Sequence, residues 1–151
     1  MKQLLVTFVL LTAAIGLCAQ TGLYGISFGQ SRADVQSNLI KTGFKVEESK
    51  DTEISFTNPK MEDLTELAVE FGSQGGVTSW EINFNTKDKP GLVDEVMKQL
   101  SDLHGSEPWW DDYFEEWIWD LENDMAVYMY EGEDYIRVDY DVWDDSYDYW
   151  W

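Results

Sequence analysis

Apolar residues recur along the chain with two rhythms, a period of two through most of it and a helical period in two stretches. Residues 23–28 alternate at Ile26 and Phe28 and read as a short strand. Gly29 ends it. Ser31 and Asp34 then have the spacing of a capping box, in which the hydroxyl accepts from the first helical turn and the carboxylate reaches back. Val35, Leu39 and Ile40 follow at helical spacing, and Gly43 supplies the left-handed residue that commonly closes a helix. Three strands are expected next, with inward faces Ile54/Phe56, Leu67/Val69/Phe71 and Trp80/Ile82/Phe84. Polar residues stand between these pairs, as a half-solvated antiparallel sheet requires. The glycines within 72–76 mark a hairpin turn.

The same pattern comes round again. Ile82-Asn83-Phe84 leads into a second helix, with Asp88 as the expected cap and Pro90 in the first turn, where its missing N–H costs nothing. Leu92, Val93, Val96, Met97, Leu100 and Leu103 form its apolar stripe, and Gly105 ends it. Strands are expected at about 113–121, 124–131 and 134–143, with Ile136, Val138, Tyr140 and Val142 on one side of the last and Arg137, Asp139 and Asp141 on the other. The predicted class is therefore α+β: two helices on one face of an antiparallel sheet, built from two tandem strand–helix–three-strand units, about 23–85 and 82–143. An acidic, aromatic tail, 144–151, follows. The halves share pattern and not sequence identity.

The front of the chain changes the picture of where the protein works. Met1 and Lys2 precede an apolar run over 4–17, too short for a membrane span of about 20 residues but suited to a secretory signal. Cleavage after Ala19 is expected, which makes 20–151 one exported domain, periplasmic or extracellular, with no membrane span. Lipid anchoring through Cys18 is the lesser alternative, because Leu17 is large for the position before a lipidated cysteine. Cys18 is the one cysteine of the chain, so no disulfide is available and the core must supply the stability.

Charge narrows the partners. The chain carries 30 acidic and 10 basic residues, a net charge of −20. Nucleic acid and anionic membranes are disfavoured, since both require clustered Lys and Arg. A basic protein partner or divalent cations fit instead. The imbalance concentrates late: from Glu107 onward sixteen acids face one base, Arg137, and seven of the eight tryptophans lie from Trp109 to the end.

Several patterns suggest chemistry. Gly25-Ile26-Ser27-Phe28-Gly29 matches a G-x-S-x-G elbow, but the chain has a single histidine, His104 at a helix end, and a meander where that chemistry needs a parallel sheet. Bending by Gly25 and Gly29 is the expected role. His104 lacks the thiolates or second imidazole of a zinc site. Paired carboxylates such as Glu115/Glu116 do not make a glycosidase without a cleft between them. Asp139, Asp141, Asp144 and Asp145 are a candidate calcium group, although their spacing is not that of a D-x-D-x-D-G loop. Exposed Trp and Tyr among carboxylates suit a protein hot spot, a sugar-stacking surface, or a tail folded back over the sheet.

Gly29-Gln30-Ser31-Arg32-Ala33-Asp34-Val35 resembles the Gly-x-Ser/Thr-x-x-acid-Val helix start of small exported bacterial proteins, namely the BamE/SmpA-type assembly lipoproteins and the β-lactamase-inhibitor-like domains. The inhibitor-like domains also have tandem helix-on-sheet units with an open aromatic surface that grips a partner protein. The chain departs from them in lacking Leu-Gly-x-Pro after the helix and the inhibitors' cysteines. The resemblance implies a binding module and names no partner. The expectation is an exported, non-enzymatic interaction protein that uses Trp109, Trp110, Tyr128, Tyr130, Asp141 and Trp143 and no cofactor. A small carbohydrate- or calcium-binding module is the alternative.

Overall fold

Both helices form where their capping chemistry permits. The computed structural model describes residues 21–142; the expected signal segment and positions 143–151, with Trp143, Asp144 and Asp145, lie outside the described residues. Helix α1, Arg32–Lys41, starts at Ser31, whose Oγ accepts the Asp34 N–H at 3.2 Å and donates to the Asp34 carboxylate at 2.7 Å. It stops where Gly43 turns left-handed at φ 101°, and the Phe44 N–H returns to Leu39 O at 3.0 Å. Val35 and Leu39 are buried; Ile40, expected in the same stripe, is exposed.

Helix α2, Leu92–His104, closes on Gly105 as expected, with φ 69° and its N–H on Ser101 O at 2.9 Å. Its start differs from expectation. Gly91 (φ 92°) is the cap residue, whereas Asp88 and Pro90 lie in the turn before it. The chain leaves the preceding strand through two left-handed residues, Asp88 at φ 60° and Gly91, and that reversal must finish before helical hydrogen bonds can begin. Val96 and Leu100 are buried, Leu92, Val93 and Met97 pack on the core, and Leu103 stays exposed.

Eight strands make one sheet: β1 Lys45–Ser49, β2 Glu53–Thr57, β3 Leu64–Phe71, β4 Val77–Asn85, β5 Trp109–Asp111, β6 Glu116–Asp120, β7 Met125–Glu131 and β8 Tyr135–Val142. Their order is β1-β2-β3-β4-β8-β7-β6-β5, antiparallel throughout. Each half is thus a helix followed by a four-strand meander, and the halves join through their last strands. The architecture is α+β with both helices on one face, but its unit is helix–four strands and not strand–helix–three strands. Residues 23–28 are not a strand: Leu23–Gly25 form a 3-10 turn with Tyr24 at φ 61°, and only Thr21 and Ser27 bridge.

The added strands, β1 and β5, are the two sheet edges. All five residues of β1 are exposed, so no burial alternation marks it in the sequence. Its charges and the bulge between Val46 and Glu48 blunt the edge against further pairing. Arg32 ties it to α1. The guanidinium donates to Asp51 O at 2.8 Å and to Ser49 Oγ at 3.1 Å, and lies 5.1 Å from the Phe71 ring centre.

The inner face of the sheet meets the helices in one core. Phe56, Leu67, Ile82, Val138 and Met129 are cross-strand neighbours in turn, and all five are fully buried. At the join, Trp80 of β4 stacks on Tyr140 of β8, centroids 4.3 Å apart and planes 11° from parallel. The Tyr140 hydroxyl accepts the Leu23 N–H at 3.1 Å and meets His104 Nε2 at 3.0 Å, so it links the first turn, the central strand and the end of α2. Burial raises the tyrosine's pKa and lowers that of His104, which keeps both neutral at pH 7. Among the described residues no helix is long and apolar enough to cross a membrane.

Gly22 lies against the stacked pair. A Cβ there would meet Trp80 Cζ2 and Tyr140 Cε1 at 2.5 Å, although the backbone is extended and imposes no glycine requirement of its own. Gly22→Ala is therefore expected to cost about 1–3 kcal/mol by overpacking alone, read from urea unfolding. Tyr140→Phe should cost about 1–3 kcal/mol, because it leaves the Leu23 N–H without its acceptor. An unchanged urea midpoint in both variants would remove this pair as the organising contact.

Candidate functional site

Side chains alternate across a strand, so the residues that miss the core face the other way. On that outer face the cross-strand run is Ser55, Ala68, Glu81, Asp139, Tyr128, Ile118 and Trp109, from β2 to β5. No helix covers it among the described residues. The face is concave, enclosing a depression of about 790 Å³. Among the described residues seven carboxylates line it: Glu53, Glu66 and Glu70 from β2 and β3, Glu81 from β4, and Glu116, Asp139 and Asp141 from the second half. Among the described residues Arg137 is the only cation in the lining, and Phe114 and Tyr128 are its aromatics on the β5–β7 side.

The floor is electrostatically tense. Glu81 and Asp139 are directly opposed across β4 and β8, an arrangement of like charges that destabilises a strand pair. Arg137 offsets part of it, with Nε 2.8 Å from Asp139 Oδ2 and the guanidinium 5.7 Å from the centre of the Tyr130 ring. Glu81 also accepts from the Asn83 amide. Burial raises the Asp139 pKa to about 6; Arg137 opposes that shift, while Glu81 and Asp141 add to it. Glu116 is raised too, by burial and then by Asp139 and Asp111, with Arg137 opposing.

The structure brings together some of the residues expected at a binding surface and separates others. Trp109, Tyr128, Tyr130 and Asp141 share the outer face. Trp110 does not. It pairs with Trp117 on the helix side and packs edge-on against that ring, centroids 4.9 Å apart. Adjacent residues of a strand point to opposite faces, so Trp109 and Trp110 could not both face outward. Trp143 lies outside the described residues. Trp119 is buried, and Trp117 and Leu121 pack against the core beside it, as their shared face predicts.

The proposed calcium group is divided in the same way. Asp139 and Asp141 lie on the concave floor, whereas Asp144 and Asp145 are outside the described residues. Among the described residues no three His, Cys, Asp or Glu side chains cluster closely enough to hold a metal ion. The Ser27 hydroxyl is 2.9 Å from that of Thr21, and the His104 ring is engaged by Tyr140, so serine and histidine each have another partner. Gly25 (φ 74°) and Gly29 (φ 75°) bend the chain on either side of Ser27.

Beyond the face, the β5–β6 hairpin carries Tyr113 and Phe114 at its tip, edge-on at 4.8 Å, with Tyr113 85% exposed. Asp111 Oδ1 holds that tip by accepting the N–H groups of Tyr113 (2.7 Å) and Phe114 (3.1 Å). The half-site on β2–β4 has a sequence signal only in retrospect. Glu53, Glu66, Glu70 and Glu81 are the polar residues between the core positions, and the β4–β8 pairing is what makes them neighbours of the late acids. No family model, curated protein or solved structure matches the chain.

The raised pKa of Asp139 has a stability consequence. An unfolded Asp titrates near ~3.9, so the ionised side chain weighs against the fold above pH ~6, and protonation relieves it between ~6 and ~4. The expected result is a gain of about 1.4 kcal/mol on acidification from pH 8 to pH 5 that Asp139→Asn lacks. His104 acts oppositely, since its lowered pKa makes acid favour the unfolded chain below pH ~6.5. Urea unfolding across this range, wild type against Asp139→Asn, isolates the carboxylate. Parallel pH profiles would contradict the buried-charge account.

Proposed function

We propose that this chain is an exported, non-enzymatic interaction protein whose concave sheet face engages a partner protein with a basic patch. One observation carries the reading: a 790 Å³ depression on the face opposite the helices is lined, among the described residues, by seven carboxylates and a single cation, with aromatic rings at one end. A surface of that sign raises the local concentration of cationic partners and speeds their encounter. The rings supply apolar area at low entropic cost, the kind of contact that dominates interface energies. The apolar run before residue 20 and a helix start that resembles those of small exported binding modules support export and a binding role.

The test uses the purified chain against a panel of basic and acidic proteins at low and high salt. Binding confined to basic members and weakened by salt is expected, because exposed charge attraction is screened. Trp109→Ala and Tyr128→Ala should each weaken it ~10-fold, the scale of a hot-spot residue. Trp110→Ala, on the helix side, should leave it unchanged. Salt-insensitive binding on a glycan array would instead favour the sugar-binding alternative.

A further inference from the structure

The floor of the concavity holds a conflict that the fold does not resolve by itself. Glu81 and Asp139 oppose each other across the joined strands, and they share one cation, Arg137, whose contact is with Asp139. Among the described residues the groups that face Asp139 lie on β4, β6, β7 and β8. Arg137 and Asp141 flank it on β8, Glu81 opposes it on β4, and Tyr128 opposes it on β7 with Glu116 one strand further on. The β2–β3 carboxylates Glu53, Glu66 and Glu70 complete the lining, and no helix packs there among the described residues. Among the described residues negative charge is thus in excess around this pair.

Two things can relieve it: a proton, or a cation brought by another molecule. Resting on the docking reading above, we propose that the occupant of this face is a lysine- or arginine-bearing segment whose cation takes the place of a proton at the Glu81–Asp139 pair, so that docking is proton-linked. Charge complementarity selects the chemistry. Size selects a segment: a volume within the ~300–1,000 Å³ that suits a drug-sized ligand takes a few side chains and not a whole domain.

The raised pKa of Asp139, about 6, places the exchange in mildly acidic solution. Ordinary exposed carboxylates titrate near ~4, so attraction to a generic acidic surface survives to much lower pH. A midpoint near 6 is therefore the signature of Asp139, and neutralising that residue removes it.

The probe is a capped octapeptide of alternating lysine and arginine, titrated calorimetrically into the full chain at constant ionic strength from pH 8 to pH 5. Wild-type affinity is expected to fall ~10-fold over that range, the factor for one group of pKa near 6 that must be ionised. At pH 6, comparison of buffers with different ionisation enthalpies should show release of about half a proton per peptide. Asp139→Asn should bind more weakly at pH 8 and lose the pH dependence. Glu81→Gln, which keeps Asp139, should bind more weakly and retain the dependence. Affinity unchanged from pH 8 to pH 5 overturns the proton linkage while leaving docking in place. Absence of peptide binding at every pH overturns the docking reading itself.

Discussion

The rest of this structure depends on the pairing of β4 with β8. Each half alone is a helix beside a four-strand meander, which would leave an open strand edge and half a core. Antiparallel pairing of the two final strands closes both edges at once and makes a single eight-strand sheet. Trp80 and Tyr140 lie directly opposite across that seam, and their stacking buries two of the largest side chains in the molecule. The Tyr140 hydroxyl then recruits the first turn through Leu23 and the end of α2 through His104. With no disulfide among the described strands and helices, cohesion rests on this apolar seam and the rows beside it.

The same seam creates the tension on the other side. Since side chains alternate, the pairing that stacks Trp80 on Tyr140 must also set Glu81 against Asp139. The fold gains its core and brings like charges together in one step. Arg137 reduces the conflict without abolishing it, because among the described residues seven carboxylates line the depression around one guanidinium. Local sequence rules are broken here, and such breaches concentrate where a surface serves something other than stability. The distribution of charge between the halves has the same sense: three glutamates come from β2–β3 and the remaining lining acids from β4, β6 and β8, so neither half alone forms the surface.

The aromatic residues divide by function along the same line. Trp80, Trp119 and Tyr140 belong to the core, Trp117 and Trp110 extend it toward an edge, and Trp109 and Tyr128 face outward. Among the described residues the late tryptophans thus fall into two groups. One secures the β5–β8 half against α2, where Trp119 Nε1 donates to Ser101 Oγ at 3.3 Å. The other is Trp109, on the opposite face at the β5 end of the sheet.

The sequence alone determined the elements whose burial is one-sided. Both helix-closing glycines, the Ser31 cap, the inward faces of β2, β3 and β4, and the Ile136/Val138/Tyr140 face of β8 are local patterns with a local cause, the match between apolar spacing and backbone period. It did not reveal β1, whose residues are all exposed, or β5, which is three residues long, because neither buries a repeating side. It also gave the stretch 23–28 the look of a strand, where backbone turns at Tyr24 and Gly25 place Ile26 in the core from a different path. Only the tertiary structure decided which strands became neighbours, and with that which acids share a face. Glu81 and Asp139 are 58 positions apart in the chain, and only a long-range hydrogen-bonded register could set them side by side.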